Sequence, residues 1–336
     1  MKAKFKRVLF VFGMVMAVAL TVFVFYLSTK RRTDKDTPTS KNIQTPSIKS
    51  QYKGKYPIEL TVDKKDLLLP KKLPLINLSD TSLSRNYAFE VASLLGFEGE
   101  PFQTMDVEEG SVFFWQNDVS SFFFFPEAKR LKYSSYASYQ DATNKQLSDE
   151  EITNIAKSFL LNNKFINPEE IELLSVNYLG KSTKHEGFDK TNRANALIFE
   201  IIFSPKITKG YEVVLSNPDN PAISVKVLRD GSVWNAQVNK FTFDTKTTTT
   251  MLRVYNYEEI VNNLPSSVLV SLSGAQISAY DLTENSIEKI EVNEIRPAYL
   301  LESYKSKVIT PILLLKGLAT VTEISSKLDA ILYLPL

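Results

Sequence analysis

The sequence predicts an α+β protein: one N-terminal transmembrane helix, then consecutive modules, each a helix packed on an antiparallel sheet. Three observations carry that expectation. An uncharged apolar run opens the chain, three short amphipathic helices recur after it, and each helix is followed by runs rich in Val, Ile, Phe and Tyr.

The opening run is Val8–Leu27, twenty residues without a charge, preceded by Lys2, Lys4, Lys6 and Arg7 and followed by Lys30, Arg31 and Arg32. At about 1.5 Å per residue it spans roughly 30 Å, the hydrocarbon thickness of a bilayer. A cleavable leader has a shorter apolar stretch ending at small residues, whereas the A-x-A pair here, Ala17 and Ala19, lies mid-run. Residues 1–7 are therefore expected as a short cytoplasmic tail and 8–28 as a signal-anchor. Positive charge on both flanks weakens the orientation rule, and the short basic N-terminus favours a C-terminal part outside the cytoplasm, at the plasma membrane. Residues 29–56, rich in Thr, Ser, Lys, Pro and Asp without apolar period, read as a flexible linker.

The helices follow from i, i+3, i+4, i+7 spacing. The stripes are Ala88, Val91, Ala92 and Leu95; Ile152, Ile155, Ala156 and Phe159; and Tyr257, Ile260, Val261 and Leu264. Ser148 with Glu151 fits a capping box, and Asn256 with Glu259 a looser one. Gly96, Asn162–Asn163 and Pro265 mark the stops. These helices open modules expected at 57–140, 141–250 and 251–336.

Strands are expected at Ser111–Trp115, Val119–Phe125 and Arg130–Tyr133 in the first module. The second offers Glu172–Leu179, Ala196–Phe203, Tyr211–Leu215, Ile223–Leu228 and Val233–Phe243, the last two joined by an Asp230–Gly231 turn. The third offers Ile287–Ile295, Ala298–Leu301, Val308–Leu315 and Ala330–Leu334. First stripe residues at 88, 152 and 257 are unevenly spaced, so a strict-period solenoid is unsupported.

The phrases Ala196–Phe203 (ALIFEIIF), Ala222–Gln237 (AISVKVLRDGSVWNAQ) and Ile287–Gly317 make the chain resemble PepSY-type domains. It is similar, more closely, to the YycH/YycI group of membrane-anchored regulators of a sensor histidine kinase. The resemblance covers about three quarters of the chain in organisation, and its motifs are short and degenerate. It implies a short tail, one membrane helix, extracytoplasmic helix-plus-sheet units and a regulatory role without catalysis.

Charge bounds the partners. Residues 1–55 hold 12 Lys/Arg against 2 Asp/Glu, and the rest holds 28 against 36. The basic stretch suits anionic headgroups, so membrane lipid is an expected partner through the anchor. The acidic remainder argues against nucleic acid. With no cysteine, disulfides, thiolate metal sites and a cysteine nucleophile are excluded.

Chemistry finds little purchase. His185, the single histidine, lies in a polar stretch without a nucleophile motif or metal-ligand spacing, and reads as an exposed loop residue. Walker A, G-x-G-x-x-G and G-x-S-x-G patterns do not occur. The adjacent pairs Glu108–Glu109, Glu150–Glu151, Glu169–Glu170 and Glu258–Glu259 do not face each other on a helix, and two of them suit the positive end of a helix dipole. No catalytic, metal or cofactor site is expected.

The aromatic cluster Phe113, Phe114, Trp115 and Phe122–Phe125 is a core hairpin or a docking patch, with intramolecular burial the heavier alternative. Along a strand the four rings of 122–125 alternate between faces, so two leave the local core. Phe113, Trp115, Phe122 and Phe124 are the candidates for partner docking. The function expected is a non-enzymatic, membrane-anchored interaction module that modulates a sensor kinase or other envelope complex. The alternatives are an envelope protein that captures peptide or glycan, a structural protein, and a hydrolase built around His185 or paired carboxylates.

Overall fold

The structure is a computed structural model. It describes Pro46, Ile48, Ser50, Tyr52 and residues 56–336, apart from 80–81, 108, 141, 144, 183–186, 217–220, 244–249, 274–285, 304–305 and 323–326. Residues Pro46–Leu336 form one compact unit.

In chain order the unit begins with three short strands, β1 (Ile58–Leu60), β2 (Lys72–Pro74) and β3 (Ile76–Asn77), before helix α1 (Arg85–Leu94). Four strands follow, β4 (Phe102–Asp106), β5 (Gly110–Gln116), β6 (Ser120–Phe125) and β7 (Arg130–Ser135). Helix α2 (Asp149–Asn162) leads to β8 (Ile171–Lys181), β9 (Phe188–Lys190), β10 (Ile198–Pro205), β11 (Glu212–Leu215), β12 (Ile223–Leu228) and β13 (Val233–Asn239). The C-terminal part holds β14 (Met251–Arg253), α3 (Tyr257–Asn263), β15 (Val268–Ser273), β16 (Ile287–Leu301), β17 (Val308–Val321) and β18 (Leu328–Pro335).

All three helices form where the apolar stripes place them. Ser148 and Glu151 make the reciprocal capping box of α2, and Asn256 and Glu259 that of α3. Helices α1 and α2 also end alike. Gly96 (φ 81°) and Lys164 (φ 55°) turn the chain left-handed, and the amides of Phe97 and Phe165 donate back to the carbonyls of Ala92 and Leu160. Each cap delivers a phenylalanine to the core, where both rings stack on Phe122, at 6.4 Å from Phe97 and 6.0 Å from Phe165.

Consecutive helix-on-sheet modules are not what these elements build, and the predicted fold class is corrected to a mainly β protein with two large sheets. The first is nine-stranded and antiparallel throughout, in the order β4-β5-β6-β7-β13-β12-β10-β8-β9. The first half is a helix followed by a four-stranded meander, the second a helix followed by five strands in the order β9-β8-β10-β12-β13, and the halves meet through their last strands, with Tyr133 opposite Ala236 and Leu131 opposite Val238. An exposed last strand offers a row of unpaired backbone groups, and pairing β7 with β13 removes two such edges at once. Both helices share one core with Trp115, Phe122, Phe124, Leu131, Ile201, Val225 and Val238.

The second sheet is built on the long hairpin β16–β17, in the order β1-β16-β17-β18-β15. Strand β16 pairs in parallel with β1 through Ile290–Val292 and with β11 through Ala298–Leu301. Strand β17 pairs with β3 at Val308–Ile309 and with β18 from Ile312 onward. Pro297 and Pro311 sit at those changes of neighbour, where a missing N–H costs no ladder bond on the open side. Strands β1 and β3, assigned to the first module by sequence, thus belong to the C-terminal sheet, and β2 between them pairs with β14 in a separate two-stranded sheet. Strand β11 leaves the second half to join the C-terminal sheet too, and Val213, Leu215, Ala222, Tyr299 and Ile309 close a core beside it. Helix α3 covers this sheet's larger core through Ile260, with Leu264 following it.

The single-pass, signal-anchored description is also corrected. No helix among the described residues is long and apolar enough to cross a membrane. The longest, α2, has 14 residues and spans about 21 Å, short of the roughly 30 Å required. Val8–Leu27, on which that description rested, lies outside the described residues, as do the 1–7 tail and most of the 29–56 linker.

Candidate functional site

Helices α1 and α2 cover one face of the nine-stranded sheet, and the opposite face carries the candidate site. Cross-strand register fixes what it displays. Phe102, Phe114, Phe123, Lys132, Gln237 and Ser224 lie in one row across six strands. At the β4 end the rings form a ladder: Phe102 and Phe114 at 6.0 Å, Phe114 stacked on Phe123 at 4.6 Å, Phe123 on Phe125 at 6.5 Å. The Arg130 guanidinium lies 4.2 Å from the centre of the Phe125 ring and pairs with Glu109 at 2.5 Å. Phe102 is 72% exposed, Met105 70% and Val107 96%.

The four residues expected to dock a partner are placed on the other face. Phe113, Trp115, Phe122 and Phe124 are buried in the core beneath α1, where Trp115 stacks on Phe122 and meets Phe89 edge-on. Side chains without exposed surface cannot touch a partner. The docking candidates are corrected to the alternate residues of the same strands, Phe102, Phe114 and Phe123. Alternation within 122–125 is legible in sequence, but its phase depends on the register with β5 and β7. The pattern of β7, with Leu131 and Tyr133 alternating with Arg130 and Lys132, carries the missing signal once that register is known.

Toward the middle the same face becomes polar. The Asn235 amide donates to the Ser134 hydroxyl at 2.9 Å, the Asn177 amide to Glu200 at 3.1 Å, and Lys226 pairs with Glu200 at 3.4 Å. These bonds join five strands and leave their groups half-exposed. Beyond them Tyr139, Phe188 and Trp234 form an edge-to-face cluster with centres 5.0 and 5.8 Å apart.

A small cavity lies where the two sheets meet, walled by Leu78, Ala128, Asn239, Phe241 and Leu301. The Asn239 side chain, 2% exposed, has no hydrogen-bond partner among the described residues. The space suits about one or two water molecules, which is what a buried amide of this kind ordinarily holds.

Several titratable groups are engaged in structural contacts. Burial pushes the Tyr87 hydroxyl up, with Glu90 adding to it, and pushes the Lys240 ammonium down against the pull of Glu170 and Glu90. Lys240 donates to the Tyr87 oxygen at 3.1 Å, and Tyr87 donates to the Lys164 carbonyl at 2.6 Å, which pins α1 to the end of α2. The carboxylate pairs are dispersed: Glu151 and Glu259 complete capping boxes, Glu258 pairs with Lys64, and Glu109 with Arg130. His185 and Glu108 lie outside the described residues. Among the described residues no three metal-ligating side chains converge.

No family model matches the sequence, and no curated protein matches it. Among solved structures the chain is similar to an uncharacterized protein from Eubacterium rectale ATCC 33656, whose crystal structure was determined at 1.45 Å. The two are 14% identical over 83% of this chain and 86% of that one, with a TM-score of 0.45, a likeness too distant to carry an argument about function.

Proposed function

We propose that this chain is a non-enzymatic binding protein that docks another protein on the uncovered face of its nine-stranded sheet. The observation that carries the reading is the aromatic ladder Phe102–Phe114–Phe123, exposed at Phe102 and half-exposed at Phe114 and Phe123, on a face that no described helix covers. Aromatic side chains concentrate binding energy at interfaces, and a contiguous apolar patch left in water marks an interaction site. The partner class suggested by the family resemblance, a sensor or envelope protein, belongs to this same reading. Placing a photo-crosslinking residue at Phe114, with Leu173 on β8 as an exposed control, tests it in the native host. A discrete adduct from position 114 but not from 173 is expected, and His185→Ala should leave it unchanged. Equal labelling from both positions, or hydrolase activity lost in His185→Ala, would refute it.

A second reading rests on the Tyr139–Phe188–Trp234 cluster beside the polar cross-strand ladder, a pairing of aromatic surface with amide and carboxylate groups that suits a glycan. Trp115 is buried and Trp234 half-exposed, so a ligand on this face alters the Trp234 part of the tryptophan emission. A saccharide that shifts this emission in the parent but not in Phe188→Ala would favour it.

A further inference from the structure

Residues that precede β1 reach both faces of the second sheet around its β15 edge. Side chains of β17 and β18 alternate between two cores. Leu313, Leu315, Leu332 and Leu334 face the core that α3 covers, and Ile312, Leu314 and Tyr333 face the opposite one. Ile48 packs on the second of these, whereas Tyr52 and Tyr56 pack on the first. Strand β15, the last in the sheet order, lies between, and there hydroxyl groups stand where a further strand would pair. The Ser50 hydroxyl donates to the Leu269 carbonyl at 2.7 Å, and the Leu269 amide donates to the Tyr56 hydroxyl. The Leu272 amide donates to the Tyr52 hydroxyl at 2.8 Å.

Contacts of this kind close an edge without fixing it. Each hydroxyl bond is exchanged for one to water when the segment leaves, because β15 is an outer strand. Pro46 is buried, but Ser50 is exposed and Ile48, Tyr52 and Tyr56 are half-exposed, so modest apolar burial opposes the entropy of ordering the chain. Segments with few buried apolar contacts open before the sheet on which they lie. Departure leaves the Leu269 N–H and C=O and the Leu272 N–H directed outward, the arrangement to which an extended segment adds. The hydroxyl spacing that suits this edge is displayed by the residues seated on it.

We infer that the segment bearing Ile48, Ser50, Tyr52 and Tyr56 is a detachable strap, and that the β15 edge beneath it is a binding site for an extended polypeptide with hydroxyl side chains in the strap's spacing. This site is separate from the docking face of the nine-stranded sheet, so either can fail without the other. The test uses the full chain and an end-blocked, fluorescein-labelled peptide of residues 46–56. Ile48→Ser loosens the strap on one face of the sheet and leaves its three bonds to β15 in place. Hydrogen exchange at the Leu269 and Leu272 amides should then run about tenfold faster, while the amides between β16 and β17 keep their parent rates. By anisotropy the peptide should bind Ile48→Ser about tenfold tighter than the parent chain, whose own strap competes for the edge. A peptide carrying Ser50→Ala, Tyr52→Phe and Tyr56→Phe should bind about tenfold more weakly than the unaltered one. Ser50→Ala in the full chain is the second loosening variant should Ile48→Ser misfold, with the same expected outcomes. Unchanged exchange at both amides, or acceleration shared equally by β16 and β17, would overturn the strap. A peptide that binds neither chain, binds both equally, or binds as well without its hydroxyls would overturn the binding site.

Discussion

Gly317→Ala is the substitution whose cost follows most directly from the geometry. Gly317 lies on β17 opposite Val292, next to a register shift between Val292 and Glu294 on β16. A Cβ at 317 would fall 2.2 Å from the Glu291 carbonyl oxygen, 2.8 Å from its carbon and 2.9 Å from the Val292 Cα. All three are backbone atoms, so no side chain can swing aside. The two strands would have to separate locally, which strains the packing at about 1–3 kcal/mol and weakens neighbouring ladder bonds worth about 1 kcal/mol each. The expected loss is about 2–4 kcal/mol, a large share of the roughly 5–15 kcal/mol that holds a domain folded. Urea denaturation followed by circular dichroism measures it as a lower midpoint at unchanged slope. Gly99→Ala is the control: Gly99 has φ 78° and open space around its Cα, so its cost of about 1 kcal/mol is backbone strain alone. Gly317→Ala within about 0.5 kcal/mol of the parent, or milder than Gly99→Ala, would refute the steric argument, since ordinary surface substitutions already fall in that range.

Two further outcomes are expected. Lys164 holds the left-handed cap position of α2 that glycine holds after α1, so Lys164→Gly should stabilise the protein by about 0.5–1 kcal/mol. The exposed Lys164–Glu90 pair that is lost offsets only a few tenths, and a net destabilisation in thermal melts would contradict the assignment. Hydrogen bonds from Lys289 and Lys327 hold the Glu291 carboxyl down at about 2, against an ordinary value of 4.5. Because the folded state binds this proton less readily, its contribution is present above about pH 4.5 and lost as pH falls toward 2. Glu291→Gln should therefore lower the urea midpoint at pH 7 and converge on the parent near pH 2; an undiminished difference at pH 2 would contradict this.

Local signals carried well. The stripes at 88–95, 152–159 and 257–264, the boxes at Ser148 and Asn256, and the Asp230–Gly231 hairpin turn all depend on residues within a few positions of one another. The missed strands are of two kinds: β4 and β9 are edge strands paired with their chain neighbours, and β4, exposed throughout, shows no apolar alternation, whereas others have remote partners. Strands β1 and β3 are short segments that become strands because β16 and β17 lie beside them, more than 200 residues later. Pro297 reads as a break between two strands, yet β16 runs through it, because the proline falls between the β1 and β11 contacts. At the candidate site the sequence revealed an alternating aromatic strand but not which alternate set faces water.

By itself the sequence determined where the helices start and stop, which segments favour extended backbone, and that Phe122–Phe125 must divide its rings between two faces. These follow from covalent geometry and near-neighbour bonding. Tertiary structure alone decided that β7 and β13 fuse two halves into one sheet, that β11 crosses to the other sheet, and that Phe114 and Phe123 remain outside while Phe122 and Phe124 are buried. A slip of one residue exchanges every side chain between the two faces of a strand, and register is set by contacts distant in the chain.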